Sequence, residues 1–332
     1  MSVFQEVMRT TDVAALWNSP SGDYNAGFII VKPATVTVQL YRAIKRMTRK
    51  SAETDDQLAL NYAVDILQRR KSGLKVATLD GRRFRSGYEY FEKPRRWFPL
   101  NSDDRCREMR NYSDCAAAAV VHGNWIVGKA AKVYRFREHL MWYFDGDDQY
   151  YSSATRLYLT YSNSGCTNWE RFNAKRTARL RSEVSALKTA MTIGYLLNRT
   201  VILPRFRIGQ RSIENPLNSF VNIGAFDGEF SGKYRENSFL RHPKVPQQVK
   251  FGLHEQALVM GRTGNLTLQT RNVTLSSSDI LQQFGEVKAR VLAIGSVHGV
   301  HIVLDNVSEA IAFSTKFDRA VIRSDYRQYT RW

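Results

Sequence analysis

The sequence is poor in cysteine and has no long hydrophobic run. Its three cysteines, Cys106, Cys115 and Cys166, form no CxxC pair, which excludes the usual structural zinc motif. Cys106 and Cys115 can close a short disulfide loop in an oxidising compartment, and three unpaired thiols are an equally good reading. The longest run of small apolar residues, 116–121, is too short to cross a bilayer. No secretory signal pattern opens the chain, so we expect a cytoplasmic protein or one whose targeting segment and membrane anchor are absent from this sequence.

Acidic residues are the minority charge. The chain has 49 Lys and Arg against 31 Asp and Glu, a net charge of +18. This balance favours anionic partners, whether nucleic acid, a membrane surface or phosphate-bearing substrates. The basic residues recur in short clusters such as "RAIKRMTRK" and "KPRR", which solvated helix faces mostly explain. No zinc-finger or RNP-like string occurs, so nucleic acid is not an expected partner.

Five Asn-x-Ser/Thr sequons favour a history in the secretory lumen. Asn198 is predicted to be a poor acceptor, because "NRTVILP" has the pattern of the entrance to a buried strand. The sequon asparagines are Asn111, Asn198, Asn265, Asn272 and Asn306.

The hydrophobic pattern predicts an α/β protein with Rossmann-like layers and two domains, residues 1–162 and 163–332, that meet near "TYSNSGCTNWERFNAK". In the first domain, a strand over 28–31 precedes a helix, "TVTVQLYRAIKRMTRK", and a second helix begins near Thr54. "LKVATLD" and "AAAAVVHGNWIVG" follow as strands. The residues predicted to line one face of the first helix are Val36, Leu40, Ile44 and Met47, and those of the second are Leu58, Tyr62 and Ile66.

The second domain opens on the clearest helix of the chain, "TARLRSEVSALKTAMTIGYLLN". The strand "RTVILP" follows and is stopped by Pro204. Near the end, "VLAIG" and "VHIVLDN" are predicted to be two more buried strands.

Three polar clusters are candidates for chemistry. The first is "YNAGFIIVK", where Asn25, Ala26 and Gly27 precede an apolar strand. Gly27 can ease a turn that Asn25 caps. The alternative is a ligand-facing corner, where the small residues leave room and the amide binds a sugar.

The second cluster is Thr54-Asp55-Asp56-Gln57. Thr54 and Gln57 match the capping box of a helix start, and the acids suit the positive end of the helix dipole. The alternative reading keeps the helix start and directs Asp56 and Gln57 at vicinal sugar hydroxyls, for which a carboxylate and an amide are suitable partners.

The third cluster is "VVHGNWIVGKAAK". His122 is a possible ligand of a divalent transition metal, although a satisfied core histidine is the commoner case. Asn124 and Gly128 follow it, then Lys129 and Lys132. Glycine lets backbone N–H groups approach a phosphate, and lysine neutralises its charge.

In this order, NAG, DDQxxxN and HGNWxxG with lysines, the chain resembles part of a GT-A nucleotide-diphospho-sugar transferase. The most similar group is the rhamnogalacturonan-II xylosyltransferases, that is, UDP-xylose:fucose α-1,3-xylosyltransferase-like proteins. The resemblance spans roughly 12–161 and includes "LDGRRFRSGYEYF". It implies a retaining transfer of a xylose- or galactose-type sugar from a UDP-sugar to a glycan acceptor, in the Golgi lumen. "LLNRTVILPRF" is similar to a strand of some fucosyltransferase-like GT-B domains.

The resemblance also implies roles for individual residues. Asn25, Ala26 and Gly27 would line the donor sugar, with Asp55 as a neighbour. The catalytic pair, Asp56 and Gln57, would hold the transferred sugar near its anomeric carbon. The residues implied to contact the diphosphate are Asn124, Gly128, Lys129 and Lys132.

His122 would bind a Mn²⁺ or Mg²⁺ ion. The family also needs an Asp-x-Asp on an earlier strand, because carboxylates hold such an ion, and no such string precedes Asn25. We therefore expect an N-terminally incomplete domain. The alternative function is a catalytically silent carbohydrate- or partner-binding protein derived from such an enzyme.

Overall fold

The computed structural model describes residues 3–18, 22–50, 54–81, 83–92, 118–162, 176–208, 215–256, 258 and 273–322. The three cysteines and the sequon asparagines Asn111, Asn265 and Asn272 lie outside these residues. Two compact units divide the chain, Met1–Val127 and Gly128–Trp332. The units divide after Val127, whereas the sequence predicts a domain boundary at residue 162. That boundary stays a prediction. Helices and parallel sheets occur in both units, so the predicted α/β class is confirmed.

Within the described residues, the first unit contains two small sheets and three helices. Its strands are β1 (Val13–Asn18), β2 (Asp23–Val31), β3 (Val76–Thr78), β4 (Phe84–Ser86) and β5 (Val120–His122). Its helices are α1 (Val3–Val7), α2 (Thr35–Lys50) and α3 (Asp56–Arg69), with a π-helical turn over Tyr88–Glu92. β1 lies between antiparallel β2 and parallel β3, and β4 pairs in parallel with β5.

Side chains of β1 alternate between two parts of the core, as the period of a strand requires. Val13 packs with Leu40 of α2 and with the buried stripe of α3. Ala14 and Leu16 point to the other face and pack with Phe84 of β4. β1 is therefore buried on both sides, which explains its uninterrupted apolar sequence.

The predicted apolar face is confirmed for α2 and wrong for α3. In α2, Leu40 is fully buried, and the other three predicted residues pack on the same cluster. In α3, Leu58 and Tyr62 are 43% and 55% exposed. The buried stripe, which is shifted by one to two residues from the predicted face, instead contains Ala59, Leu60, Ala63, Val64 and Leu67.

The second unit is larger. Its strands are β6 (Tyr158–Ser162), β7 (Thr200–Ile202), β8 (Tyr234–Arg235), β9 (Leu253–Glu255), β10 (Val273–Ser276), β11 (Val291–Ser296) and β12 (Val300–Val303). Its helices are α4 (Lys129–Glu138), α5 (Arg176–Leu196), α6 (Ile223–Phe230), α7 (Gln247–Lys250), α8 (Ser277–Phe284) and α9 (Val307–Ile322). In the part of this unit that the structure describes, two 3₁₀ turns cover Leu217–Ser219 and Phe239–Arg241. None of the helices in the described residues has the length and hydropathy that crossing a membrane requires.

Five strands of this unit form one parallel sheet in the order β8-β7-β6-β11-β9. β6 lies in the middle, and α5 connects it to β7, as a parallel pair requires. The predicted long helix corresponds to α5, and the predicted strand "RTVILP" to β7, which ends before Pro204. The two strands predicted near the end correspond to β11 and β12, the second of which pairs with β10.

Close packing of α5 on β7 depends on Gly194. A Cβ at this position would lie 2.5 Å from Val201 Cγ2 and 2.9 Å from the Arg199 carbonyl oxygen. Because one of these atoms belongs to the backbone, relief requires the helix to shift. Gly194→Ala should therefore lower the free energy of unfolding by about 2 kcal/mol, the usual cost of overpacking.

The matched control is Gly228→Ala, at an exposed position of α6. A Cβ there meets nothing within 4 Å, so the helix propensity of alanine should raise stability by up to about 1 kcal/mol. Denaturant unfolding of both variants measures the difference. Equal stability of the two variants would contradict this account of the α5–β7 contact.

Candidate functional site

The segment Asn25-Ala26-Gly27 forms a bulge in β2. Ala15 of β1 pairs with Ile29 while the next residue, Leu16, pairs with Asn25, so the residues from 26 to 28 have no partner on β1. Asn25 is 5% exposed, and its Oδ1 accepts a hydrogen bond from the Gly27 N–H at 2.9 Å. The small residues thus project from the sheet as a corner, held at its base by a buried amide.

Side chains of α3 bind the outer edge of this bulge. Gln57 Oε1 accepts from the Ala26 N–H at 3.1 Å, and Asn61 Oδ1 accepts from the Tyr24 N–H at 2.9 Å. Asn61 Nδ2 also donates to the Tyr24 carbonyl. Two helix amides therefore replace the neighbouring strand that an edge strand lacks. Gln57 Nε2 is buried and has no hydrogen-bond partner among the described residues.

His122 lies directly against the corner. A Cβ added to Gly27 would be 2.5 Å from His122 Nε2 and 3.1 Å from Asn25 Oδ1. The contact brings together two residues that are far apart in the chain, and glycine is what permits it. Gly27 is exposed and His122 is half-buried, so a ligand can reach both.

A second amide network fixes the loop that follows β5. Asn18 Oδ1 accepts from Asn25 Nδ2 at 3.2 Å and from Asn124 Nδ2 at 2.9 Å. Asn124 Oδ1 accepts from the Gly87 N–H. Asn18, at the end of β1, thus connects the bulge to the segment that carries His122. Both Oδ1 and Nδ2 of Asn124 therefore form hydrogen bonds within the protein.

The predicted capping box does not form. Asp55 is the N-cap of α3, and its carboxylate accepts from the Leu58 N–H at 2.7 Å. Gln57 is directed to Ala26 instead of back to the helix start. Asp56, the first residue of the helix, is exposed. The structure therefore brings Gln57 to the corner, whereas Asp55 has a capping role.

The remaining predicted residues belong to the second unit. Gly128 has φ of +86° and precedes α4, whose first turn carries the exposed Lys129 and Lys132. Backbone N–H groups and basic side chains at a helix start are suited to phosphate. Their contact with a diphosphate stays a prediction.

The described residues around His122 do not fit a divalent ion. No group of three or more His, Cys, Asp or Glu side chains that could hold a metal occurs in the described part of the chain. The amide oxygens of Asn18 and Asn25 already accept hydrogen bonds. The Mn²⁺ or Mg²⁺ ion implied for His122 therefore stays a prediction, and we derive no step from it.

Sequence reasoning missed Asn18, and it included Asn61 only as the last residue of DDQxxxN, without a role. Asn61 follows Gln57 by four residues, so both occupy one face of α3. Asn18 ends an apolar strand directly before "SPSG" and had the appearance of an ordinary turn residue.

One of three comparisons with known proteins found a match. No curated protein and no solved structure matches the chain. Residues 5–136, less than half of the 332-residue chain, match the family model described as nucleotide-diphospho-sugar transferase. This span contains the bulge, the start of α3 and His122. The match supports a GT-A-like domain and a glycosyltransferase activity in general, with a nucleotide-sugar donor and an acceptor as the partners that the family implies.

Proposed function

We propose that the protein transfers a xylose- or galactose-type sugar from a UDP-sugar to a glycan acceptor, with retention at the anomeric carbon. The donor sugar lies in the corner formed by the β2 bulge, Gln57 and His122. The observation that carries the proposal is the contact of Gly27 with the His122 ring, because it joins two of the predicted clusters in one accessible place.

The corner offers donors and acceptors suited to sugar hydroxyls. Gln57 Oε1 accepts from the Ala26 N–H, and Nε2 is buried without a partner among the described residues, so a small outward movement of this side chain would supply a donor for a sugar oxygen. His122 provides a second polar group across the bulge. Asp56, next to Gln57, would stabilise positive charge at the anomeric centre as the bond to UDP breaks.

Gln57→Glu tests the role of the free amide donor. Glutamate retains an oxygen that can accept from the Ala26 N–H, so the fold of the bulge should be unchanged, but it lacks the N–H₂ group. We expect binding of UDP-xylose and UDP-galactose to weaken about tenfold. The loss has two causes: one hydrogen bond to the sugar is missing, and the new carboxylate repels the diphosphate. Isothermal titration measures this, with UDP release as the activity readout.

Asp65→Asn, on the same helix, is the matched control. The exposed Asp65 pairs with Arg69, so its loss should leave donor binding unchanged. UDP-sugar binding without UDP release would favour the silent carbohydrate-binding alternative. Equal donor affinity of the wild type and Gln57→Glu would contradict the proposed placement of the sugar.

We propose that the protein acts in the Golgi lumen and carries a glycan at Asn306. Asn306 and Ser308 of this sequon are exposed, and Asn306 Oδ1 caps α9 through the Glu309 N–H. Glycosylation takes place at Nδ2 and leaves the cap intact. Asn198 is also exposed, but its sequon threonine, Thr200, is 5% exposed in β7.

Expression of the full chain in the secretory pathway of a eukaryotic cell tests this. Peptide mass spectrometry should find an endoglycosidase-sensitive glycan on Asn306 and none in Asn306→Gln. An unmodified Asn306 in the secreted chain would contradict the prediction.

A further inference from the structure

A cavity of about 680 Å³ lies in the second unit, where β6, β7 and β8 begin. Leu157, Thr200 and Lys233 are at or directly before the first residues of these strands, and all three line it. The turn over 147–149 and the segment 153–156 form another wall. The space is large enough for a small organic ligand.

The lining is polar, which is unusual for a small-molecule pocket. Leu157 is the only aliphatic side chain among the described lining residues, which otherwise offer carboxylates, amides, hydroxyls and basic groups. Pockets for apolar ligands are lined mostly by hydrophobic and aromatic side chains. This cavity therefore suits a ligand that both donates and accepts many hydrogen bonds.

The lining contains groups of both charges. Asp147, Asp148 and Lys233 line the cavity and are exposed. Arg156 also lines it and donates through Nη2 to the Asp148 carbonyl. The acids disfavour a phosphate and the bases disfavour a cation, whereas a neutral polyol can bind to both.

Arg199 forms part of the wall and is not a ligand-binding group. Its guanidinium donates to the carbonyl oxygens of Tyr158, Ala289 and Val287, and the residue is 4% exposed. It connects the starts of β6 and β7 to the segment before β11. The cavity thus has a rigid base beneath its exposed polar rim.

Three lining residues have left-handed backbone conformations. Gln149, Asn198 and Gly232 have φ of 50°, 46° and 71°. For Gln149 this costs about 1 kcal/mol, and such conformations are enriched at binding sites. These three residues belong to separate turns that line the same cavity.

We propose that this cavity binds a saccharide unit of a glycan, a site separate from the donor corner. Vicinal hydroxyls donate to the carboxylates of Asp147 and Asp148 and accept from Lys233 and the amides of Gln149 and Asn198. The proposal goes beyond the proposed transferase activity, because the lining residues that the structure describes all belong to the second unit.

Saturation-transfer NMR with xylobiose, galactobiose and cellobiose tests the proposal on unglycosylated full-length protein. We expect saturable binding of at least one disaccharide. Ser231→Trp fills the mouth of the cavity from an exposed position and should weaken that binding at least tenfold. Ser308→Trp, an exposed serine on α9, should leave it unchanged. Thr155→Trp fills the cavity from its opposite wall and replaces Ser231→Trp if that variant does not fold.

Two further measurements distinguish the ligand class and the site. The double variant Asp147→Asn, Asp148→Asn should bind the disaccharide several-fold more weakly, while Ser231→Trp should bind UDP-sugars as the wild type does. Binding of inorganic phosphate in place of any disaccharide would overturn the proposal. An absence of binding for all three disaccharides would also overturn it. So would equal disaccharide binding by Ser231→Trp and the control Ser308→Trp.

Discussion

Gly27→Ala should weaken binding of UDP-xylose and UDP-galactose at least tenfold while changing the free energy of unfolding by less than about 1 kcal/mol. The added Cβ would lie 2.5 Å from His122 Nε2, so the ring must rotate away from the corner. Because that atom is the far end of a movable side chain, the fold can adapt at low cost. Rotation of the His122 ring removes one of the groups proposed to contact the donor sugar. A tenfold loss of affinity corresponds to about 1.4 kcal/mol.

Gly81→Ala is the matched control, since a Cβ there meets nothing within 4 Å. Isothermal titration with each UDP-sugar and denaturant unfolding separate the two effects. The double variant Gly27→Ala, His122→Ala removes the clash, so its stability should equal that of His122→Ala. Unchanged donor binding in Gly27→Ala would show that the corner is not the sugar site.

Glu183→Gln should raise the free energy of unfolding by about 3 kcal/mol at pH 8 and by almost nothing at pH 4.5. Glu183 lies on α5, is 1% exposed, and accepts from the Arg207 N–H through Oε1. Burial raises the pKa of its carboxyl to about 7, and the Arg207 backbone hydrogen bond and charge oppose this only in part. Its Oε2 has no hydrogen-bond partner among the described residues.

The direction of this pH dependence follows from proton binding by Glu183 in the native and unfolded states. The native state holds the Glu183 proton up to about pH 7, whereas the unfolded chain releases it at its ordinary pKa of 4.5. The wild type therefore loses stability as pH rises from 4.5 to 7, and the loss is constant above that. Glutamine is neutral throughout and keeps an oxygen for the Arg207 N–H.

Denaturant unfolding of the wild type and Glu183→Gln between pH 4.5 and 8 measures the difference. Glu286→Gln, at a fully exposed carboxylate, should show no such dependence. A difference that is flat with pH, or that grows toward low pH, would contradict the burial of a protonated Glu183.

The layers of the fold could be predicted from the sequence because they follow local periodicity. Leu40 and its helical neighbours mark the buried face of α2, and Pro204 marks the end of β7. The buried face of α3 could not be predicted in this way, because apolar residues occur on both of its faces. Packing against α2 and the adjacent strands selects the stripe that contains Leu60, Val64 and Leu67.

The candidate site was predictable in part. The resemblance selected Asn25, Gln57 and His122, but no spacing rule places a bulge against an imidazole about a hundred positions later in the chain. The bridging role of Asn18 depends on that long-range contact and was invisible locally. The polar cavity was missed for the same reason: Gln149, Asn198 and Gly232 belong to three turns that converge only when the sheet forms.

NMR of the histidine rings tests the central claim most directly. The chain has six histidines, and His122→Asn assigns the resonances of His122. On titration with UDP-xylose or UDP-galactose, we expect the His122 ring resonances to shift saturably and to shift far less in Gln57→Glu. Saturable donor binding that leaves the His122 resonances in place, or no donor binding at all, would contradict a sugar site at the β2 bulge.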